Sequence, residues 1–265
     1  MRLDALLVQR GLMPSREKAK EAIAAGDVLL HGKPAKKPSQ AVEEDAQIEV
    51  TSAPLPFVSR GGLKLLKALE VFADFSVEGD HVLDIGASTG GFTDCLLQHG
   101  AERVYAIDVG TDQLADKLRK DPRVVSMEGV NARTLTVEDI GEIADGAVMD
   151  VAFISITKII PALEHLVKED GYLMALVKPQ FEAGKSAVGK HGVVKAPAAH
   201  RSVLRNMAAF VRDETSFAPV ALDVSPIRGP EGNVEFLMLC RKGCMGMEHA
   251  DLWARIDELV CQAHA

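Results

Sequence analysis

Residues 83–92 have the sequence LDIGASTGGF, and this stretch decides the fold. An apolar run that carries a carboxylate, Asp84, predicts a buried strand. The small residues after it predict a tight turn, and Phe92 begins a helical pattern. Such a turn brings backbone N–H groups and a helix N-terminus to the carboxyl end of the strand. The stretch therefore predicts a binding site of nucleotide size, without deciding which nucleotide.

The rest of the chain alternates short apolar runs with helical patterns. We predict seven strands, at residues 82–85, 104–107, 124–125, 148–154, 173–177, 219–224 and 234–239. Alternating strands and helices imply an α/β fold whose mostly parallel sheet is covered on both faces. Residues 225–233 are too few for a crossover helix, so the last strand should be antiparallel. This order resembles the Rossmann-like methyltransferases.

Charge is distributed unevenly along the chain. The net charge of the 265 residues is -8, yet residues 1–40 contain eight Lys or Arg against four acidic residues, a net of +4. The remainder must therefore carry -12. A small basic end on an acidic body is typical of a tethered nucleic-acid-binding module. Ordinary variation between solvated surfaces is the alternative explanation.

Cysteine content and hydropathy indicate the compartment. The four cysteines are too few and too unevenly spaced for a disulfide framework or a zinc site. The N-terminus lacks an apolar signal core, and no uncharged apolar run reaches the length of about 18 residues that spans a membrane. We expect a cytoplasmic protein that binds no metal and does not enter a membrane.

The basic end is predicted to be a compact unit of two helices and a small sheet. The pattern at 2–10 predicts the first helix, and Ser15 and Gly26 are the expected N-cap and end of the second. Residues 28–33 and 47–50 predict short strands. Prolines follow shortly afterwards and predict a linker, so the expected domains are 1–56 and 57–265.

This unit resembles the S4 RNA-binding domain over about residues 1–50. The resemblance is carried by four short motifs, RLD at 2–4, SREKAK at 15–20, GDV at 26–28 and HGK at 31–33. It implies an α+β unit with an RNA-binding surface on the second helix and the hairpin. The basic side chains expected on that surface are Arg2, Arg16, Lys18, Lys20 and Lys33.

The turn at 86–92 is not a dinucleotide fingerprint, because Ser88 occupies the middle glycine position of G-x-G-x-x-G. Asp108, at the end of the second strand of this alternating region, can accept hydrogen bonds from both hydroxyls of a ribose. Asp84 lies where a pyrophosphate would prefer no negative charge, which favours S-adenosylmethionine over NAD. The expected cofactor-binding residues are Asp84, Gly86, Ala87, Ser88, Gly90, Gly91, Phe92, Asp108, Val109, Asn131 and Asp150.

Four charged residues occupy places where a sheet protein has no structural need for them: Lys64, Asp150, Lys178 and Glu235. Asp150 and Lys178 belong to the ends of apolar runs, so both should lie at the carboxyl ends of parallel strands. Glu235 interrupts an apolar run, where a carboxylate is costly unless a lysine pairs with it. We therefore expect the four side chains to converge on one catalytic site.

These four residues, with the turn at 86–92, resemble the site of the FtsJ-type RNA 2'-O-ribose methyltransferases. Three further motifs, VSRGG at 58–62, VKPQFE at 177–182 and GPEGNVEF at 229–236, extend the resemblance to the TlyA family, over the chain to about residue 240. Members of that family often carry the name haemolysin. The resemblance implies methyl transfer from S-adenosylmethionine to a cytidine 2'-hydroxyl of ribosomal RNA, free or in ribosomal subunits.

Lys178 is the residue expected to act on that hydroxyl. It can serve as a general base or stabilise the developing alkoxide, and the sequence leaves both roles open. Residues 183–194 predict a mobile loop, which either closes over RNA, with Lys185 and Lys190 on phosphates, or is an ordinary solvated connection. Arg60 is a further candidate RNA contact. Residues 251–260 predict a C-terminal amphipathic helix.

Other classes of protein stay open at this point. A nicotinamide-dependent oxidoreductase is disfavoured by Ser88, and a haemolysin-like membrane-active protein lacks a spanning segment. RNA pseudouridine synthases also carry S4 domains, but the turn at 86–92 would have no purpose in them. The oligomeric state, a monomer or a weak dimer, is not decided by the sequence.

Overall fold

The computed structural model describes residues 1–13, 15–51, 55–184, 187–229 and 231–264. The chain forms two compact units, Met1–Pro56 and Phe57–Ala265. The smaller unit has one hydrophobic core, and the larger unit has two, one on each face of its main sheet. The two units therefore each contain the apolar contacts that hold a domain together.

The first unit contains two helices and a three-stranded antiparallel sheet. The helices are α1 (Leu3–Gln9) and α2 (Arg16–Ala25), and the strands, in sheet order β2-β1-β3, are β1 (Val28–Leu30), β2 (Lys33–Pro34) and β3 (Ile48–Val50). The predicted cap of α2 is confirmed, since the Ser15 hydroxyl accepts a hydrogen bond from the Lys18 N–H at 3.2 Å. Gly26 ends the helix with φ 85°, as predicted.

The second unit alternates strands and helices. Its strands are β4 (His81–Ile85), β5 (Arg103–Asp108), β6 (Val124–Glu128), β7 (Ala144–Met149), β8 (Val167–Val177), β9 (Phe217–Val224) and β10 (Phe236–Lys242). Its helices are α3 (Gly62–Val71), α4 (Gly91–Gln98), α5 (Asp116–Arg119), α6 (Val137–Ile140), α7 (Ile160–Leu163), α8 (Pro179–Glu182), α9 (Pro197–Glu214) and α10 (His249–His264).

The seven strands form one sheet in the order β6-β5-β4-β7-β8-β10-β9. The pairs from β6 to β8 are parallel, whereas β10 is antiparallel to both of its neighbours. The predicted α/β class with an antiparallel last strand is confirmed. The first strand of the sheet, β4, lies between β5 and β7, so the strand order reverses there, and ligands of doubly wound sheets bind at this point.

Helices cover both faces of the sheet. Leu83 and Ile85 of β4 belong to the core that includes α9 and α10, while Val82 belongs to the core of α3 and α4. The face predicted for the C-terminal helix is confirmed, because the buried residues of α10 are Leu252, Ile256, Leu259 and Val260. Among the described residues, no helix combines the length and the apolar character needed to cross a membrane.

Several predicted strand limits were wrong, among them the start of β8, which lies at Val167 rather than at residue 173, and two of the errors concern the candidate catalytic residues. Strand β7 ends at Met149 rather than at residue 154, because Phe153 has a left-handed φ of 64° that an extended strand does not accommodate. Strand β10 begins at Phe236, so Glu235 precedes the strand instead of lying within it. Asp150 and Glu235 are therefore both next to a strand end, and each still makes a backbone hydrogen bond, Asp150 with Ile85 at 3.0 Å and Glu235 with Ser225 at 2.9 Å.

The packed face of α3 also differs from the prediction. The helical spacing of Leu63, Leu66 and Leu69 in the sequence predicts that these three residues pack inward. In the structure they are only partly buried, whereas Leu65 and Ala68 are fully buried. The neighbour of Leu65, Lys64, is buried as well. The apolar periodicity misplaced this face because a lysine with carboxylate partners occupies part of it.

Candidate active site

A cleft of about 780 Å³ opens at the carboxyl ends of the parallel strands. It is enclosed by the turn after β4, by the residues after β5 and β7, and by the start of α3. All four candidate catalytic residues line it. The candidate cofactor residues line it too, with the exception of Asp84 and Gly90.

The turn after β4 is pressed against the segment that follows β7. Gly86 has φ 84°, and a Cβ at this position would lie 2.6 Å from the Asp150 carbonyl oxygen. The Asp150 N–H in turn donates to the carbonyl of Ile85 at 3.0 Å. Only glycine satisfies both the backbone conformation and the close approach. Gly86 thereby sets the position of the candidate catalytic residue Asp150.

A second close approach brings α3 to the cleft. A Cβ on Gly62 would lie 2.8 Å from the carbonyl oxygen of Gly91 and would also collide with the Phe57 ring. The absence of side chains at Gly62 and Gly91 lets the first turn of α3 lie against the first turn of α4. This contact places Lys64, two residues further along α3, over the end of the sheet.

The four candidate catalytic residues are joined by ion pairs, in the order Glu235, Lys64, Asp150 and Lys178. Lys64 Nζ lies 2.8 Å from Glu235 Oε2 and 3.1 Å from Asp150 Oδ2. The other Asp150 oxygen, Oδ1, pairs with Lys178 Nζ. We call this set the ion-pair chain. It contains two carboxylates and two ammonium groups, so its charges balance.

The ion-pair chain is largely withdrawn from solvent. Lys64, Lys178 and Glu235 are 8%, 9% and 2% exposed. Burial works against the charge on Lys64, but the charges of Asp150 and Glu235 outweigh it and raise the pKa of Lys64. Burial likewise opposes ionisation of Asp150, and the two lysines outweigh it and lower the pKa of Asp150. Both groups therefore stay ionised at neutral pH.

Asp108 anchors the opposite side of the cleft. Its carboxylate accepts hydrogen bonds from the Ser88 N–H at 2.8 Å and from the Gly110 N–H at 2.7 Å. Each carboxylate oxygen retains a further lone pair for a ligand hydroxyl. The side chain of Val109 is largely exposed and lines the cleft, and Asn131 lines it after β6. Carboxylate, apolar surface and amide are the contacts a nucleoside requires.

Asp84 is placed differently from the other candidate cofactor residues. It is fully buried, its Oδ2 accepts a hydrogen bond from the Thr93 hydroxyl at 2.6 Å, and its Oδ1 has no partner among the described residues. Burial raises the pKa of Asp84 to about 7, while the Thr93 hydrogen bond opposes the shift and the charge of Asp150 adds to it. Asp84 is therefore buried next to the turn without lining the cleft.

Sequence reasoning missed several residues that line the cleft, among them Phe153, Gln113 and Arg228. Phe153 is 92% exposed, and its ring lies 5.3 Å from that of Phe181. Gln113 accepts a hydrogen bond from the Ser88 hydroxyl at 3.1 Å, and Arg228 lines the same cleft as Glu235. The sequence carried no signal for Phe153, because the predicted strand ran to residue 154 and would have included it.

The candidate RNA-binding residues are spread over both units. In the first unit, Arg2, Arg16, Lys20 and Lys33 are exposed, and Lys18 is half-buried. In the second unit, Arg60 is exposed and lines the cleft. Lys185 lies outside the described residues, and the side chain of Lys190 is not described either.

Comparisons with known proteins agree with both units. A model of the FtsJ-like methyltransferase family matches residues 57–242, and a model of the S4 domain matches residues 1–48. A Bacillus subtilis protein with a provisional rRNA methyltransferase name, YqxC, is 50% identical over 265 residues, which cover 99% of this chain and 94% of that protein.

Two further relatives extend the comparison. The 16S/23S rRNA (cytidine-2'-O)-methyltransferase TlyA of Mycobacterium tuberculosis is 48% identical over 242 residues, 91% of this chain and 89% of that one. A solved structure from Streptococcus thermophilus, which bears a provisional hemolysin name, superposes with a TM-score of 0.80 at 44% identity, covering 100% of this chain and 95% of that one. These findings support the methyltransferase interpretation over the nicotinamide and membrane-active alternatives. The chain belongs to the TlyA family, in which an S4 domain precedes an FtsJ-like methyltransferase domain.

Proposed function

We propose that this protein is an S-adenosylmethionine-dependent RNA methyltransferase that modifies the 2'-hydroxyl of a cytidine in ribosomal RNA. The observation that carries the proposal is the ion-pair chain, which ends at Lys178 beside the turn at 86–92. The name of the M. tuberculosis relative supplies the class of substrate. The proposed domains are 1–56 for RNA binding and 57–265 for catalysis.

The residues of the cleft fit S-adenosylmethionine. Asp108 offers its carboxylate to the ribose hydroxyls, while Val109 and Asn131 flank the position of the adenine. The unpartnered oxygen of buried Asp84 favours a cationic group nearby, and the methionine part of this cofactor carries an ammonium and a sulfonium. Gly86, Ala87, Ser88, Gly91 and Phe92 line the turn between these two parts. When bound, the cofactor supplies an electrophilic methyl group.

Lys178 is proposed to hold the attacking hydroxyl. Its ammonium is paired with Asp150, so in this pairing it is a hydrogen-bond donor and carries the charge that stabilises a developing alkoxide. The role of electrostatic stabiliser is therefore favoured over that of general base. The hydroxyl proton passes to water as the oxygen forms its bond to carbon.

The remaining members of the ion-pair chain position Lys178. Asp150 contacts both lysines through separate oxygens, and Lys64 occupies the gap between the two carboxylates. Because the four charges balance within the site, they do not repel a cationic cofactor or attract stray anions to the methyl-transfer position. Their contribution to catalysis is alignment of the nucleophile.

Docking of the RNA is assigned to the basic first unit, with Arg60 at the rim of the cleft as a further contact. Ribosomal RNA, free or within ribosomal subunits, is the proposed partner, and the cytoplasm is the proposed location. Residues 183–194, which follow α8, remain the proposed closing loop, with Lys185 and Lys190 as its proposed phosphate contacts.

Methylation of isolated ribosomal subunits tests the proposal. Small and large subunits from cells that lack this activity are incubated separately with the protein and methyl-labelled S-adenosylmethionine, and label is mapped by resistance of the modified ribose to alkaline cleavage. We expect incorporation at a cytidine 2'-oxygen in at least one subunit. Label on a base, or none on either subunit while the protein binds S-adenosylhomocysteine, would exclude the proposed reaction.

A further inference from the structure

The first unit contains a buried carboxylate between two candidate RNA-binding arginines. Asp4, in the first turn of α1, is fully buried. Arg2 donates to it in bidentate fashion, with Nε 3.0 Å from Oδ1 and Nη2 2.9 Å from Oδ2. Arg16, at the start of α2, donates from Nη2 to the same Oδ2 at 3.1 Å. One carboxylate therefore joins the two helices through both guanidinium groups.

The two arginines keep most of their hydrogen-bonding capacity for a ligand. Each guanidinium has five N–H donors, and Asp4 engages two on Arg2 and one on Arg16. Their side chains are 49% and 50% exposed, so about half of the surface of each is open to a ligand. Since both Nη2 atoms contact one oxygen, they lie no more than about 6 Å apart. The pair thus presents two forks of donors at a single place on the surface.

The charge of Asp4 opposes the simplest account of this surface. A carboxylate cancels part of the positive charge that attracts a polyanion, so a basic patch built only for attraction would be better without it. The hydrogen bond to Arg2 lowers the pKa of Asp4 far below its usual range, burial opposes that shift, and Arg16 adds to it. Asp4 is therefore charged at every pH at which RNA is bound, and its presence needs an explanation other than attraction.

Orientation supplies that explanation. A free arginine side chain samples many rotamers and loses that freedom when it binds a phosphate, which weakens association. A guanidinium already held by a buried carboxylate has lost it beforehand. We propose that Asp4 is a positioning residue of the RNA-binding surface, which holds Arg2 and Arg16 as a pair oriented toward one site on the RNA phosphate backbone. The proposal rests on the proposed function, because it presupposes that ribosomal RNA is the ligand of this unit.

One substitution distinguishes a role of Asp4 in orienting the arginines from a purely electrostatic effect of its charge, because the two predict opposite changes in RNA affinity. Asp4→Asn keeps the shape of the side chain and removes a negative charge, so electrostatic attraction alone would tighten RNA binding. Loss of orientation would weaken it. Asp45→Asn makes the same charge change at an exposed site of the same unit that has no ion pair among the described residues, and it is the matched control.

The measurement is the affinity of the full-length protein for the unmodified ribosomal subunit that it methylates, between about 50 and 200 mM KCl. We expect Asp4→Asn to weaken binding about tenfold, with kcat unchanged at saturating subunit, and Asp45→Asn to leave binding unchanged or tighter. In an Arg2→Ala/Arg16→Ala background, Asp4→Asn should have no further effect, because the oriented groups are gone. A purely structural role of Asp4 would weaken binding in both backgrounds.

A second variant keeps the test decisive if Asp4→Asn unfolds the first unit. Arg2→Lys/Arg16→Lys alters two half-exposed side chains and conserves both charges, but an ammonium cannot form the bidentate contact. It should also bind several-fold more weakly. Affinity equal to the wild type in folded Arg2→Lys/Arg16→Lys, or Asp4→Asn behaving as Asp45→Asn does, overturns the proposal while the proposed function stands. If the wild-type protein binds neither subunit, both fail together.

Discussion

The two units place charged side chains in opposite ways. In the first unit, Asp4 is buried and its partners Arg2 and Arg16 are half-exposed, which leaves positive charge in excess at the surface. In the second unit, the ion-pair chain balances two carboxylates against two lysines and is nearly closed to solvent. The first arrangement leaves positive charge exposed to solvent, and in the second the positive and negative charges neutralise each other within the buried site.

This difference separates two tasks. A polyanion is attracted by uncompensated positive charge at the protein surface, which the first unit provides. A methyl transfer to a hydroxyl needs donors whose positions do not change, and a balanced buried network provides them without holding an anion in the site. We infer that binding and chemistry depend on different clusters, and the following variants test that separation.

The largest effect is expected from Lys178→Ala. Removal of the ammonium that stabilises the developing alkoxide should lower kcat by about 10²- to 10³-fold. Affinity for S-adenosylhomocysteine and for ribosomal subunits should stay within about twofold of the wild type, because the cofactor contacts are proposed at other residues and most of the RNA contacts in the first unit. Single-turnover methylation and equilibrium binding measure these quantities. Lys120→Ala, at an exposed lysine, is the control. Retained turnover in Lys178→Ala would contradict the separation of the two tasks.

Lys64→Met should destabilise the second unit. It leaves Asp150 and Glu235 buried without their shared cation, which costs about 3–5 kcal/mol in the free energy of unfolding. The wild-type contribution of Lys64, whose pKa is raised, is present at neutral pH and is lost only as the pH rises through that value. Asp150 keeps Lys178, but Glu235 loses its only ion-pair partner among the described residues and can take up a proton in acid, so the loss should be smaller at pH 5 than at pH 8.

Lys67 supplies the control for this measurement. It lies on the same helix and pairs with Asp223 at 3.8 Å in a partly exposed position. Lys67→Met should cost at most about 1 kcal/mol by urea unfolding. Equal losses for the two variants would show that the ion-pair chain is no more demanding than a surface pair.

Gly86→Ala tests the backbone contact that positions Asp150. A Cβ at Gly86 meets the Asp150 carbonyl oxygen at 2.6 Å and forces a side chain onto a backbone with φ 84°. We expect a loss of about 2–3 kcal/mol in stability and weaker binding of S-adenosylhomocysteine. Gly79→Ala has nearly the same backbone strain, at φ 78°, and no atom within 4 Å. Thermal unfolding of both variants isolates the collision, and identical shifts would mean that the contact is unimportant.

Asp84→Asn tests a buried carboxylate that, among the described residues, forms no ion pair with an arginine or a lysine. The pKa of Asp84 is raised from 3.8 to about 7, so between these values the folded protein binds more protons than the unfolded chain. The group therefore removes stability as the pH rises from about 4 to 7. The free energy of unfolding of Asp84→Asn, relative to that of the wild type, should therefore increase by on the order of 2 kcal/mol from pH 5 to pH 8. A pH-independent difference would contradict this, with Glu138→Gln as the exposed control.

Much of this arrangement follows from strand ends. Asp150 and Lys178 could be placed at one edge because parallel strands end together, and the need to pair Glu235 could be anticipated from its apolar neighbours. The sequence could not show which lysine pairs with Glu235, because Lys178 and Lys64 were equally good candidates. Lys64 is chosen because Gly62 and Gly91 let two helices approach closely, and no periodicity in the sequence reports such a contact.

The sequence by itself determined the two-unit organisation, the order of strands and helices, and the residue types of both charged clusters. It did so because apolar periodicity, caps and turn residues act locally along the chain. Only the tertiary structure decided where β7 stops, that Asp84 lies beneath the cleft rather than in it, and which carboxylate meets which ammonium. These outcomes depend on distances between segments far apart in sequence, which are set by packing and by backbone contacts such as that of Gly86 with Asp150.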